Sequence, residues 1–517
     1  MRRRTRNIAI PVAAVVMAVI TGCGSTVEPT ATETIGPVNG GLGLPGTNLP
    51  GGTTGTTSAT SSTGSGSSSA SSGGAAGPGS IPTSGVASSG SASGQQSTGT
   101  ASSGGTSGPA ASKQTGPLTI GFLTTDTSNA NQYGASLGNT VSESGVDKAL
   151  IDALNKKGGL DGRKLKIVFA HTDTGSTNWA NDFQAACATF TQDHHVNVVL
   201  GYEFTYEPDF ETCLAEQNIP HLNDGFNVPS NDVLSQYPGF WSLDVPTIGE
   251  RNIAKFEGAI KTGFLIPKNK LAVVVDRCPG TVGAWQTEVE PYLKAHQINY
   301  VPPFYADCST GNNAGAASAV SNVENAMVKL RSEGVDRIAF VSVSEAPVLF
   351  IATTVAQAQG YYPGWIVSSL GQLAVIGGES PKSEMRNTHG YGWLPSQDVP
   401  PQYNPKPNAS QKRCIALLHS QNVQPRAAAD FGYAYNACEA VFVYERALKL
   451  DGGNADGTAI SNAVASIGNG FQSTLNLYGR STLSADRRNN APAFFKPINW
   501  DGNCSCFRYG HQTFPMP

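Results

Sequence analysis

Between residues 118 and 368 short apolar segments alternate with helical ones, and the alternation runs through twice. Residues 118–123, 165–169, 196–200 and 219–222 read as strands, separated by helical patterns over 179–190 and 210–217. It restarts at 271–276, with strands expected at 299–301, 337–342 and 365–368 and helices at 285–295, 320–333 and 348–359. Strands that alternate with helices build parallel sheets covered on both faces. About 400 residues of this kind exceed what one core holds, so the chain should be α/β, with two Rossmann-like doubly wound lobes.

One helix–turn–strand unit shows the local logic. Ala149, Leu150, Ala153 and Leu154 recur at helical spacing, and Lys156 and Lys157 stand in the last turn, where positive charge suits the helix dipole. Gly158 and Gly159 can take the left-handed conformation that stops a helix, Leu160 follows as the apolar contact, and Asp161-Gly162 turns the chain. Leu165, Ile167 and Phe169 then alternate with Lys164, Lys166 and Val168 as a strand.

The beginning of the chain sets the compartment. Arg2, Arg3, Arg4 and Arg6 precede an apolar run over 8–20, too short for a comfortable membrane span. The run ends in Ile20-Thr21-Gly22-Cys23, which resembles a bacterial lipobox. That resemblance implies a signal peptide over 1–22, lipidation of Cys23, and a protein held by lipid on the extracytoplasmic face of the cell membrane. Without residues 1–22 the chain carries 30 basic and 38 acidic side chains, a net charge of −8. That balance disfavours nucleic acid or an anionic surface as a partner. Residues 23–116 follow as the lipidated N-terminus and a tether. From 25 onward the tether is almost wholly Gly, Ser, Thr, Ala and Pro, too poor in apolar surface to offset the entropy of ordering it. Its expected span is roughly 50–60 Å. The G-x-G-x-x-G match at 41–46 has neither strand nor helix beside it and carries no dinucleotide reading.

Over residues 118–500 the chain resembles the solute-binding proteins of the leucine/isoleucine/valine-binding type that serve ABC importers. The resemblance rests on an ordered set: KALIDALNKKGGLDGRKLKIVFAHTD, AACATFTQDHHVNVVLG, NIPHLNDG, VKLRSEGVDRIAFVSV, AQAQGYYPGWIVSS and DFGYAYNACEAVFVYERALKLDGG. It implies the type I periplasmic binding protein fold, with three crossings between lobes near Asp244, near Gly390 and at 478–494. The solute-binding domain would then span 117–517. Lobe 1 would cover about 117–244 and 391–478, and lobe 2 about 245–390 and 490–517. It also implies a small-molecule solute and an ABC permease as partners. A sensor of the same fold without transport is the alternative.

Ligands of doubly wound sheets bind beyond the carboxyl ends of the strands. That rule selects Thr125, Asp126, Tyr202, Glu203, Thr205, Asp224 and Phe226 in the first lobe, and Arg277, Ser344, Glu345 and Ser369 in the second. Tyr202, Phe204 and Phe226 could cover a ring or an apolar side chain. Amino-acid binders of the family hold a carboxylate with Ser or Thr after the third and fourth strands. Here those loops carry Glu203 and Asp224, which would repel one. A cationic, aromatic or neutral polar solute is expected rather than a branched-chain amino acid.

Eight cysteines follow Cys23, an even number in an oxidising compartment. Sequence allows 105 pairings. Neighbours along the chain are the simplest: Cys187 with Cys213, Cys278 with Cys308, Cys414 with Cys438. Cys504 and Cys506 would close a strained ring if joined. No tetrahedral metal spacing and no cofactor motif is present. Residues 134–138 match G-x-S-x-G, which would make Ser136 a hydrolase nucleophile, but a polar loop stands where that turn needs a strand, and no catalysis is expected. If Cys23 carries lipid, Cys23→Ala should release the protein from membranes of its host into the soluble fraction. Fractionation that finds the variant still on the membrane would refute the anchor.

Overall fold

The computed structural model describes residues 116–126, 140–173, 178–201, 207–225, 230–243, 246–308, 313–479 and 481–517. The expectations for the signal peptide, Cys23, the tether, Ser136, Tyr202, Glu203, Phe204, Thr205, Phe226 and Asp244 lie outside these residues.

Two sheets divide the strands. Sheet one holds β1 (Leu118–Asp126), β2 (Leu165–Asp173), β3 (Val198–Gly201), β4 (His221–Asn223) and β5 (Phe240–Ser242). Sheet two holds β6 (Leu271–Asp276), β7 (Phe304–Ala306), β8 (Arg337–Val341), β9 (Gly364–Ser368) and β10 (Thr388–Gly392). The chain then returns to sheet one for β11 (Ser481–Ser484) and β12 (Arg487–Pro492). It ends in sheet two with β13 (Phe494–Asp501), β14 (Cys506–Tyr509) and β15 (Phe514–Pro515). The orders are β11-β12-β5-β4-β3-β1-β2 and β14-β13-β10-β9-β8-β6-β7, with β15 beside β13. Pairing is parallel from β2 to β12 in the first sheet and from β7 to β10 in the second. Numbered within each lobe, the first five strands take the order 2-1-3-4-5 both times. The chain changes sheets after Ser242, Gly392 and Pro492.

Local chemistry starts and stops these elements. The helix Glu143–Lys156 is capped by the Ser142 hydroxyl and ends on Gly158 and Gly159 at φ 108° and 86°, as its sequence predicts. The helix Ile248–Lys261 opens at the first crossing with a capping box. Glu250 N–H donates to Thr247 Oγ1 at 3.4 Å, and Thr247 N–H donates to Glu250 Oε2 at 3.1 Å. Gly201 closes β3 at φ 117°, and a Cβ there would stand 2.3 Å from the Leu123 carbonyl oxygen. Only glycine lets β3 end this close to β1. The strand expected at 299–301 is instead a bridge from Tyr300 to Leu271, and the ladder proper forms at β7. Pro302 and Pro303 explain the shift, because neither has an N–H to give a neighbouring strand.

Three apolar clusters fill the interior. One covers the outer face of sheet one, from Leu123 to Phe210, and one a face of sheet two, from Ala272 to Trp365. The largest runs through both lobes and includes Trp241, Leu243 and Ile248 at the first crossing, so the two lobes share apolar packing there. No described helix is long and apolar enough to cross a membrane.

Disulfides join Cys187 to Cys213, Cys278 to Cys308, Cys414 to Cys438 and Cys504 to Cys506. The first ties the helices Trp179–Ala188 and Pro208–Glu216, and the third ties Ala409–His419 to Ala428–Leu450. The second links the loops after β6 and β7. Peptide mapping of exported protein without reductant should recover the first three pairs. Removing any one should cost about 2–4 kcal/mol in urea unfolding. Free thiols at these positions would contradict the pairing.

Candidate functional site

In the order 2-1-3-4-5 the strands on either side of the first run outward in opposite directions, which opens a crevice at the carboxyl ends of strands 1 and 3. In sheet one these are β1 and β3, ending at Asp126 and Gly201. In sheet two they are β6 and β8, ending at Asp276 and Val341.

On the first lobe the crevice is acidic. Thr125 N–H donates to Glu143 Oε2 at 3.2 Å, and its hydroxyl lies 3.1 Å from Thr172 Oγ1. The Thr124 hydroxyl lies 2.6 Å from His171 Nδ1. Asp224 follows β4, and its carbonyl accepts from Asn436 Nδ2 of the long helix Ala428–Leu450 at 2.8 Å. Asp430 of that helix accepts from Thr140 N–H at 2.6 Å and from the Thr140 hydroxyl at 2.7 Å. That fixes the start of the helix Glu143–Lys156. Burial alone would raise the Asp430 carboxyl, but these bonds and those from Ala427 and Arg426 hold it below its usual value. On that helix Glu143 is half-buried and Asp147 buried, and Asp224 is buried after β4. Burial, then the charges of Asp147 and Asp224, hold Glu143 well above the carboxylate range. Burial and Asp224 do the same to Asp147. Asp224 is pushed up to about 7, by burial first; His221 opposes the shift and Glu439 adds to it.

On the second lobe the charges are matched. Asp276 joins the ends of β6 and β8, accepting from Cys278 N–H at 3.2 Å and from Val343 N–H at 2.9 Å. Burial raises its carboxyl against those bonds. Arg277 is exposed and meets Asp307 at 3.0 Å. The Ser344 carbonyl accepts from the Ser342 hydroxyl at 2.8 Å. Glu345 is fully buried, 2.7 Å from Lys255 Nζ, and accepts from Ser368 N–H at 2.6 Å. Lys255 also donates to the Phe340 carbonyl, and burial lowers its pKa. The Ser369 hydroxyl accepts from Trp393 N–H at 2.8 Å and from Leu394 N–H at 3.1 Å, and donates to Asp398 Oδ2 at 3.2 Å. Asp398 also accepts from the Tyr509 hydroxyl at 2.5 Å.

The structure thus bonds Thr125 to Glu143, buries Asp224 and Ser344, leaves Arg277 exposed, and commits Glu345 and Ser369 to internal bonds. Asp126 ends β1. Sequence reasoning overlooked Glu143, Asp147 and Asp398. The first two sit four residues apart in the opening turns of a helix, and the signal that could have found them is an acidic helix start.

No family model matches this chain, and no curated protein does. Solved structures do. An ABC transporter substrate-binding protein from Desulfitobacterium hafniense, in complex with Leu, matches at 14% identity and TM-score 0.51, over 76% of this chain and 100% of its own. A solute binding protein of an ABC transporter from R. palustris, in complex with 4-hydroxybenzoate, matches at 14% and 0.55, over 78% and 98%. A branched chain amino acid ABC transporter from Thermus thermophilus with bound valine matches at 11% and 0.56, over 77% and 97%. The chain therefore has the two-lobed type I periplasmic binding protein fold.

Glu345→Ala should cost about 3–5 kcal/mol in urea unfolding, because it strands a buried ammonium, whereas Arg277→Ala should stay within about 0.5 kcal/mol. Equal effects would contradict this division. Glu384, buried beside Trp365 Nε1, and Asp398 resemble Asp224 in being pushed up to about 7, first by burial. A carboxyl raised in the fold stabilises it below the unfolded value of about 4 and loses that contribution as pH climbs through 7. The urea midpoint should fall from pH 5 to pH 8, and less steeply in Glu384→Gln. A midpoint that rises over this window would contradict the shifts.

Proposed function

We propose that the chain is an extracytoplasmic, lipid-anchored solute-binding protein that captures a small molecule between its lobes and delivers it to an ABC importer. One observation carries the reading. Two sheets of the same strand order each present a crevice, and the crossings that join them are bonded to one another. Asn489 Nδ2 of β12, just before the third crossing, donates to Glu250 Oε2 just after the first at 2.5 Å; Leu477 N–H, ahead of β11, donates to the Trp393 carbonyl just after the second at 2.9 Å, and Ser369 of the second lobe holds Trp393 and Leu394. A hinge gathered in this way lets the lobes close on a ligand while each stays rigid. The solved structures of this fold named above bind amino acids or a hydroxybenzoate, which supports binding rather than catalysis as the activity. Lipid at Cys23 would keep the protein beside its permease.

Native mass spectrometry of the full chain, exported from its host, should show a small molecule that is retained under gentle conditions and lost on denaturation. An empty protein that no fraction of a metabolite extract stabilises against heat would refute the proposal.

A further inference from the structure

Sheet one carries a cavity of about 400 Å³ at the amino ends of β4 and β5, the end away from the crevice. Ile219 and Pro220 lead into β4 there, and Pro238 and Gly239 into β5. The helix Gly457–Ala465 and the hairpin of β11 and β12 form the other walls. Sites for small ligands enclose roughly 300–1,000 Å³, with an apolar lining and a few placed polar groups. Ile219, Pro220, Pro238 and Trp241 supply the apolar part here. Arg488 is the one charged side chain among the lining residues, and no carboxylate stands among them. Its Nη1 donates to the Tyr237 carbonyl at 2.8 Å, an oxygen that also accepts from Phe240 N–H at 3.0 Å. That bond fixes the guanidinium beside the entrance to β5 and leaves most of its N–H donors free for another partner. Arg487 next to it approaches Glu250 at 3.8 Å, but Arg488 has no ion pair among the described residues. Burial lowers its pKa, and no acid acts against the shift. The lining also includes Trp241, whose indole Nε1 is buried without a hydrogen-bond partner. Thr458 and Asn218, by contrast, satisfy each other at 3.0 Å. Both groups left wanting, the guanidinium and the indole, are donors.

We propose that this cavity is a second ligand site, taking a small organic acid whose carboxylate pairs with Arg488 and whose apolar or aromatic body lies along Ile219, Pro220 and Pro238. A guanidinium matches a carboxylate in shape, because its planar fork donates two parallel bonds to the two oxygens. The carboxylate also brings the negative charge that the walls lack. A cationic ligand would meet a like charge, and a neutral one would forgo the ion pair. Proline rings give the ligand body a rigid apolar surface with no backbone N–H to leave unsatisfied. The cavity and the crevice lie at opposite ends of the same strands, so filling one does not require the other to be empty. The proposal therefore does not depend on the solute-binding reading.

The test is titration calorimetry on the full chain, with any carried solute left in the crevice. The probes are 1-naphthoate and its uncharged counterpart 1-naphthamide. Two variants report on the cavity: Arg488→Met removes the charge, and Ala465→Phe fills the space from the helix wall. The second leaves the bond from Arg488 to Tyr237 in place, so its effect does not depend on how the β5 entrance tolerates the first. The expected result is that 1-naphthoate binds, that Arg488→Met weakens it about 10–150-fold, and that Ala465→Phe abolishes it. The amide should bind the parent at least about tenfold more weakly than the acid. No binding of 1-naphthoate up to about 1 mM overturns the proposal. Binding that either variant leaves intact also overturns it, because the probe then sits elsewhere. So does an amide that binds as tightly as the acid, since the carboxylate would then have no partner. None of these failures touches the solute-binding reading.

Discussion

Parallel strands must be joined by crossovers that return the chain to the same edge, so every loop after a strand emerges on one side of its sheet. The rest of this structure depends on that constraint. It collects the ends of β1, β3 and β4 in one lobe and of β6, β8 and β9 in the other. The repeated order 2-1-3-4-5 then opens one crevice per sheet. Gly201 marks how tightly the first is built, since no side chain fits between the end of β3 and the backbone of β1.

The two lobes handle buried charge in opposite ways. In the second, Lys255 and Glu345 neutralise each other beneath the sheet, and the remaining oxygens find backbone partners. Such a pair adds little net stability, but breaking it is costly. In the first, burial raises the carboxyls of Glu143, Asp147 and Asp224, which disfavours their ionised forms. The hinge shows a third arrangement. Asp398 gathers hydroxyls from Ser369 on one side and Tyr509 on the other, so the crossing after β10 is tied to sheet two at two points.

Much of the fold could be read from the chain because strands and helices each satisfy a local period. The unit from Lys148 to Asp173 carries its own helical period, stop, turn and strand, and it forms as expected. The strand expected at Tyr300 is displaced to β7 because two prolines interrupt the ladder, a signal present in the sequence itself. The candidate site was read less well. Glu345 follows a strand end, as a ligand residue should, yet its side chain turns inward to Lys255, ninety positions earlier. Ser369 likewise serves the crossing at Trp393. Nothing near either residue in sequence announces those partners.

The sequence by itself determined the α/β class, the repetition of the pattern, the surplus of acid and the absence of basic side chains in the loops after β1, β3 and β4. These are properties of composition and of periods a few residues long. Only the tertiary structure decided which acids meet. Glu143 and Asp224 lie 81 positions apart, and strand order sets β4 two places from β1, about 10 Å away at the spacing of a sheet. Whether a carboxylate is solvated, paired or left facing its own kind depends on what packs around it. That is a property of the assembled sheet and not of any segment within it.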